Sequence, residues 1–487
     1  MTETNKTMNH AMIYGIGIIL RHMASIIMLP IYTRYLTPAD YGMAELLSMG
    51  IEIIALIVGV VGGDALIRFY YDHDSKQHRN QVAFTATSIS IFMNIIAFIF
   101  IASTASYYSN FIFDGTGITN GETLVIMYAA SLIFQVMAGM PGAYIRSQQK
   151  PKLFVFFSVN RLILAIAANL YFVVYLELHI AGVVYAVFTF TLLDGLIQTL
   201  YLLYNTGVRF SGKLAKQMIH FSFPLLISSI ALFLATYSDR LFIKHYIDLT
   251  SLGLYALAYK FAFILVTIAW GPIQQAWDVK RYEVVKMENA TQIFQTTFRQ
   301  SQLFVIVMAL SMILFSKDLL RVMAAESFHS AYTIVAILVP AYVIKIWSNF
   351  CFFGVFYAKK TKIKAYIEWF SSFISFLLFF LLIPRYSISG AAFATLIAFS
   401  LRFALINYFS QKCYNMHLQW GFIIKIILIA CTMSLISLNL NYPIWTSILI
   451  NSLLLTIFLI LIIPFLYKED KIALVNAIKK PLKFLKK

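Results

Sequence analysis

Apolar residues run along this chain in long blocks that short polar segments separate. A window of about 20 residues, the length needed to cross roughly 30 Å of hydrocarbon, detects about fourteen such blocks. We therefore predict an all-α polytopic membrane protein. The predicted spans are 11–33, 43–68, 82–104, 122–144, 153–176, 180–204, 218–242, 253–275, 298–315, 331–357, 363–383, 387–410, 421–437 and 443–466.

The second third of the chain repeats the pattern of the first. Residues 178–186, LHIAGVVYA, resemble residues 386–394, YSISGAAFA, and both run through a glycine, Gly182 or Gly390, into a small-residue helix start. A looser match joins residues 32–42 to residues 238–255. Because an even number of spans separates the copies, we predict two six-helix lobes in the same orientation, related by a pseudo-twofold axis along the membrane normal.

The predicted domains follow this repeat. They are an N-lobe of six spans at 1–210, a C-lobe of six spans at 211–412, an appendage of two spans at 413–467 and a basic cytoplasmic tail at 468–487. The tail carries seven lysines among apolar residues, which is typical of an interfacial helix on an anionic leaflet.

Composition and charge support a membrane protein. The 487 residues are 60% hydrophobic and only 12% charged, and the net charge is +17. The basic residues concentrate in alternate loops, such as those holding Lys150 and Lys360, so the positive-inside rule places both termini in the cytoplasm. Since this distribution accounts for the charge, no nucleic-acid partner is expected.

Four basic residues lie deep inside predicted spans, namely Arg21, Arg161, Lys260 and Lys345. A charge near the bilayer centre costs roughly 3 kcal/mol, so such a residue usually faces the bundle interior, a water-filled cavity or a charged ligand. Two interpretations follow. The bases could form ion pairs with the deep acids Glu52 and Asp194, which could also take part in ion coupling, or they could bind an anionic cargo. The excess of deep bases over deep acids favours a cargo.

Other charged residues near span ends have simpler expected roles. Asp64 and Arg68 are four residues apart on a helix and can neutralise each other. Asp239 and Arg240 lie at the outer end of their span and are expected to pair with interface groups. Snorkelling to the membrane surface is expected for three residues near cytoplasmic span ends, Lys425, Glu368 and Arg402.

Residue groupings typical of an enzyme are absent from the loops of the sequence. No outside loop carries paired carboxylates, a Ser/His/Asp set or metal-ligand spacing, and the P-loop pattern does not occur. The three cysteines also lack metal-ligand spacing. We therefore expect no enzyme activity, no cofactor and no metal site.

Five stretches resemble the polysaccharide-exporter branch of the multidrug/oligosaccharidyl-lipid/polysaccharide exporter superfamily. They occur in the order and spacing of Wzx-type O-antigen flippases, and together they cover most of residues 10–410. The division into twelve spans plus two also fits that branch. The stretches are LPIYTRYLTPADYG (29–42), FSFPLLISSI (221–230), SDRLFI (238–243), GLYALAYK (253–260) and IPRYSISGAAFATLIA (383–398).

The resemblance implies a transporter in the inner membrane of a bacterium. Such proteins flip undecaprenyl-diphosphate-linked oligosaccharide, an O-antigen or related repeat unit, from the cytoplasmic to the periplasmic leaflet by alternating access. The implied partners are this lipid-linked oligosaccharide diphosphate, membrane lipids and other polysaccharide-assembly proteins. The cationic cavity of the family would map onto the four deep bases, because arginine and lysine both suit a diphosphate.

Two other functions are compatible with parts of the pattern. A cation-coupled drug exporter of the same superfamily would share the fold, but it would need an acidic cavity, whereas the deep charges here are mostly basic. A membrane polysaccharide polymerase or ligase would usually have a large periplasmic loop, which this sequence lacks.

Overall fold

The structure is a computed structural model that describes residues 17, 27–58, 62–72, 75–358, 360–440, 442–467 and 470. Within these ranges all regular structure is helical, and ten helices are long and apolar enough to cross a membrane. The predicted all-α polytopic membrane fold is confirmed, while the count of fourteen spans stays a prediction. Arg21 and the tail from residue 471 onwards lie outside the described residues.

Contacts between residues divide the chain into two compact units, unit 1 at Met1–Ala256 and unit 2 at Leu257–Lys487. Unit 1 includes the helix Gly212–Tyr246, which packs against the three helices Pro38–Val58, Gly63–Tyr70 and Lys76–Ser103. Unit 1 therefore extends further than the predicted N-lobe, whose boundary stays a prediction. The helices of unit 1 are residues 27–35 (α1), Pro38–Val58 (α2), Gly63–Tyr70 (α3), Lys76–Ser103 (α4), Ala105–Phe113 (α5), Gly121–Ser147 (α6), Pro151–Asn169 (α7, continued by a π-helical turn at Leu170–Tyr175), His179–Thr206 (α8), Gly212–Tyr246 (α9) and the start of Leu249–Ile264 (α10).

Unit 2 begins within α10. The helix Thr361–Cys413 is bent at Ser387, where φ is 55°, so it carries the two predicted spans 363–383 and 387–410. The elements after α10 are a π-helical turn at Leu265–Trp270, Gly271–Val284 (α11), Ala290–Met323 (α12), Glu326–Phe328 (a 3₁₀ turn), Ala331–Cys351 (α13), Phe353–Tyr357 (α14), Thr361–Cys413 (α15), Trp420–Asn439 (α16), Ile444–Ile462 (α17) and Ile463–Phe465 (a 3₁₀ turn).

The repeat is visible in the close packing at two glycines. A Cβ atom at Gly182 would lie 2.6 Å from the carbonyl oxygen of Phe172, and one at Gly390 would lie closer still to the carbonyl oxygen of Leu382. In each unit, a glycine therefore lets the start of one span pack directly against the end of the span before it. These are the two glycines that the sequence comparison pairs.

The last two spans are attached to unit 2 by buried polar contacts. Asn451 on α17 donates through Nδ2 to the Leu314 carbonyl oxygen at 2.8 Å and to Asp318 Oδ2 at 2.9 Å, both on α12. Ser437 on α16 donates to Asn451 Oδ1 at 2.7 Å. Because a polar group in lipid must find its partners within the protein, these bonds hold α16 and α17 to α12.

Asp470, near the start of the predicted basic tail, is also part of this packing. It is 2% exposed and accepts a hydrogen bond from Arg299 Nη2 on α12 at 3.1 Å. Gln300 Nε2 donates to the same carboxylate at 3.2 Å. Within the predicted tail, Asp470 is therefore anchored on unit 2.

Candidate functional site

Arg161 lies near the middle of α7 and forms an ion pair inside unit 1. Its Nη1 atom is 3.4 Å from Asp194 Oδ2 on α8, and its guanidinium carbon is 5.6 Å from the centre of the Phe190 ring. Asp194 is fully buried, and Gln198 Nε2 donates to its other carboxylate oxygen at 2.8 Å. Of the ion pairs expected between deep bases and deep acids, this one is formed.

We predict that Arg161→Ala lowers the amount of folded protein in the membrane. The substitution strands the buried Asp194 carboxylate without its guanidinium, at a cost on the order of 3–5 kcal/mol. Adding Asp194→Asn removes that charge and should restore the protein level, measured by immunoblot of membrane fractions. If the double variant is no more abundant than Arg161→Ala, the ion pair does not support folding.

Lys345 on α13 lies over aromatic rings in unit 2. Its ammonium nitrogen is 4.9 Å from the ring centre of Tyr342 and 5.4 Å from that of Phe399. Tyr342 also packs edge-on against Tyr259, with ring centres 5.3 Å apart. Tyr259 directly precedes Lys260, which is partly buried, on α10. The two predicted lysines therefore lie on two helices, α10 and α13, that the contact between Tyr259 and Tyr342 joins. Aromatic faces stabilise a cation without cancelling its charge.

A buried charge cluster joins α9 to α2 in unit 1. This cluster was not predicted from the sequence. Arg240 is 1% exposed, with Nε 3.1 Å from Glu45 Oε1 and Nη1 2.7 Å from Asp239 Oδ1. Tyr255 on α10 donates its hydroxyl to Asp239 Oδ2 at 2.6 Å. The expectation that Asp239 and Arg240 pair with membrane interface groups was wrong, because both are buried against protein partners.

Glu52, the other predicted acid, lies on the same helix as this cluster. It follows Glu45 by two turns of α2 and is exposed, whereas Glu45 contacts Arg240. Arg161 pairs with Asp194, so Glu52 is not the acid that contacts it. A signal for the cluster was present in the sequence, because Glu45 lies within a predicted span and Arg240 is a base next to an acid.

One turn before Glu45, α2 and α10 approach each other through a reciprocal pair of glycines. A Cβ atom at Gly253 would lie 2.7 Å from the carbonyl carbon of Pro38, and one at Gly42 would lie 3.1 Å from the backbone nitrogen of Gly253. Each glycine is the fifth residue of its helix, and both belong to the stretches that the repeat pairs.

Both of these helices begin with a side-chain cap at the same relative position. At the start of α2, Asp40 N donates to Thr37 Oγ1 at 3.1 Å and Thr37 N donates to Asp40 Oδ2 at 3.0 Å, which is a capping box. At the start of α10, Ser251 N donates to Asp248 Oδ1 at 2.6 Å. The caps fix where each helix starts and therefore where Gly42 and Gly253 meet.

An ion pair in unit 2 lies within one residue of where the repeat places Arg161 and Asp194, but with the charges exchanged. Arg402 follows Gly390 at the same distance along the chain as Asp194 follows Gly182. Its partner is Glu368, with Nε 2.9 Å from Oε2 and Nη2 2.7 Å from Oε1. The expectation of snorkelling for these two residues was wrong, because a bidentate pair satisfies both inside the protein.

The expected pair between Asp64 and Arg68 stays a prediction. Arg68 forms its ion pair with Asp72, in the turn after α3. The side chain of Asp64 is outside the part of the chain that the structure describes. Among the described residues, no group of three His, Cys, Asp or Glu side chains is placed to hold a metal ion.

Comparison with known proteins gives matches over most of the chain. A family described as "Polysaccharide biosynthesis protein" matches residues 8–277. The "Lsg locus putative protein 1" of Haemophilus influenzae is 24% identical over 294 residues, which are 58% of this chain and 68% of that protein.

Two solved structures show the same fold. The lipid II flippase MurJ, in an inward closed conformation, has a TM-score of 0.68 at 13% identity, covering 93% of this chain and 97% of that one. An inward-facing multidrug resistance MATE family transporter of the MOP superfamily has a TM-score of 0.62 at 14% identity, covering 82% of this chain and 94% of that one. The resemblance found in the sequence motifs is confirmed at the level of family and fold.

Proposed function

Because the chain belongs to the polysaccharide biosynthesis protein family and has the fold of a lipid II flippase, we propose that it flips a lipid-linked oligosaccharide across a bacterial inner membrane. The proposed cargo is an undecaprenyl-diphosphate-linked unit, an O-antigen or related repeat, moved from the cytoplasmic to the periplasmic leaflet by alternating access. The basic loops support a topology with both termini in the cytoplasm. The reaction is transport, and no covalent step is proposed.

The observation that carries this proposal is the placement of Lys345. It puts an ammonium group in the middle of a span, on the faces of Tyr342 and Phe399. A diphosphate needs cationic partners in a low-dielectric site. The cluster therefore offers a cation, held over buried aromatic rings, for the diphosphate of the cargo.

The other predicted site residues take different proposed roles. Arg21 and Lys260 are proposed to contribute further contacts to the diphosphate. Arg161 already pairs with Asp194, so its proposed role is to hold α7 and α8 together as well as to add positive potential. Glu52, which is exposed on α2, is the proposed site of any ion coupling.

A cation-coupled drug exporter is the second candidate. The fold shared with a MATE transporter and the exposed carboxylate of Glu52 favour it. Cationic drugs would be repelled by Lys345, whereas a diphosphate would be attracted, so a substitution at this lysine separates the two candidates.

We predict that Lys345→Ala lowers surface polysaccharide about tenfold at a normal protein level, since one charge-assisted contact contributes about 1.5–3 kcal/mol. Lys345→Arg should retain part of the activity because it keeps the charge. The measurement is polysaccharide staining in cells whose only copy of the gene encodes the variant. Lys425→Ala is the matched control, because Lys425 also lies over a ring, that of Phe465 at 5.6 Å, but in an appended span. Normal polysaccharide in Lys345→Ala would contradict the proposed role.

A further inference from the structure

Unit 1 contains two adjoining polar cavities at the end of the bundle that carries basic loops. Their volumes are about 450 and 250 Å³, and they share four lining residues, Tyr70, Arg79, Gln148 and Lys150. Lys76 lines the smaller cavity. Among the lining residues that the structure describes, three are bases and none is an acid; residues 73 and 74 are outside the described ranges.

The cavities rest on a packed apolar core, so their shape is built into the fold. Tyr70 and Tyr144 belong to that core, with ring centres 6.1 Å apart, and the Arg79 guanidinium lies 5.3 Å from the ring centre of Tyr70. On the rim, Tyr71 donates its hydroxyl to the Ser147 carbonyl oxygen at 2.6 Å. Side chains held in this way lose little further entropy when a ligand binds.

Two helices begin at the cavity walls. Helix α4 starts at Lys76, and α7 starts at Pro151, directly after Lys150. The first turn of a helix carries the positive end of the helix dipole, which favours an anion. The helix starts and the three basic side chains therefore all favour an anion in the cavities.

The positive-inside rule alone does not account for this arrangement. That rule predicts only that basic residues are frequent in cytoplasmic loops. Arg209 and Lys213 fit the rule, but their side chains are exposed and line neither cavity. Lys76, Arg79 and Lys150 instead converge on one concave polar surface. Basic pockets between membrane helices on the cytoplasmic side are a known form of lipid headgroup site.

We propose that these cavities bind a phosphate group, carried by an anionic phospholipid or free in solution, at the face of unit 1 that the positive-inside rule assigns to the cytoplasm. Lys76 and Lys150 provide mobile charges at the rim, and Arg79 provides a fork-shaped donor inside. Three of the residues proposed to contact the transported cargo, Arg161, Lys260 and Lys345, do not line these cavities, and Arg21 lies outside the described residues.

The test uses the full-length protein in phosphatidylcholine nanodiscs. One arm titrates phosphatidylglycerol and counts bound lipid by native mass spectrometry, and the other adds inorganic phosphate as a competitor. The site variant is Lys76→Gln/Lys150→Gln, which replaces two exposed residues. It leaves the Arg79 guanidinium in place over the Tyr70 ring. Its matched control is Arg209→Gln/Lys213→Gln, which removes the same charge from a loop outside the cavities.

We expect wild type to retain phosphatidylglycerol in preference to phosphatidylcholine, and the site variant to lose at least about tenfold in affinity, because it lacks two direct charge-assisted contacts to the phosphate. The control should stay within about twofold. Competition by inorganic phosphate would assign the site to free phosphate, and its absence would assign it to the lipid headgroup. Equal losses in both double variants, or no preference in wild type, would overturn the proposal.

Discussion

Arg240→Leu should lower the melting temperature of the purified protein strongly. The substitution leaves Glu45 and Asp239 as two neighbouring carboxylates without the guanidinium that now contacts both. Removing one partner from a buried ion pair costs on the order of 3–5 kcal/mol, because the remaining charge stays out of water. Thermal unfolding in detergent, followed by tryptophan fluorescence, measures the change.

Two comparisons show whether the stranded charge is the cause. Arg68→Leu removes an arginine from an exposed ion pair with Asp72, and such pairs contribute about 0–1 kcal/mol. Combining Arg240→Leu with Glu45→Gln and Asp239→Asn removes the stranded charges and should recover most of the lost stability. A triple variant as unstable as Arg240→Leu would contradict this explanation.

Gly253→Ala should also destabilise the protein, although alanine is the better helix former. The added Cβ atom would lie 2.7 Å from the carbonyl carbon of Pro38, so α2 and α10 must move apart. Overpacking of this kind typically costs about 1–3 kcal/mol. If transport alternates access through these helices, the same variant should also lower surface polysaccharide.

Gly139→Ala is the matched control for this substitution. Gly139 lies inside α6, where no atom is within 4 Å of an added Cβ atom, so alanine should be neutral or stabilising by up to about 1 kcal/mol. Melting temperatures of the two variants in the same detergent give the comparison. Equal melting temperatures for the two variants would mean that the contact between Gly253 and Pro38 does not limit how closely α2 and α10 pack.

The helices of this protein could be predicted because membrane spans are a local property of the sequence. The predicted span 421–437 is observed as α16 at Trp420–Asn439, and 180–204 as α8 at His179–Thr206. Long apolar stretches have few alternatives in a membrane, since every backbone polar group must be bonded within the segment. The repeat was predictable for a similar reason, because Gly182 and Gly390 mark the same tight turn in each copy.

The ion-pair partners could be predicted only in part, because they depend on how each helix is rotated. Glu45 and Arg240 are 195 residues apart, and a hydropathy window carries no information about which faces meet. Arg68 has an acid four residues away on either side, and the end of α3 at Tyr70 places Asp72 within reach. Arg161 and Asp194 were identified as a possible pair since both are far from the span ends, where few other partners exist.

The proposed transport of a lipid-linked diphosphate can be measured in a reconstituted system. The purified protein is placed in liposomes that contain a fluorescent undecaprenyl-diphosphate oligosaccharide, and an impermeant quencher reports how much label reaches the outer leaflet. We expect wild type to expose the label from the inner leaflet, Lys345→Ala to do so more slowly, and a cationic dye not to cross. Transport of the dye without movement of the labelled lipid would contradict the account.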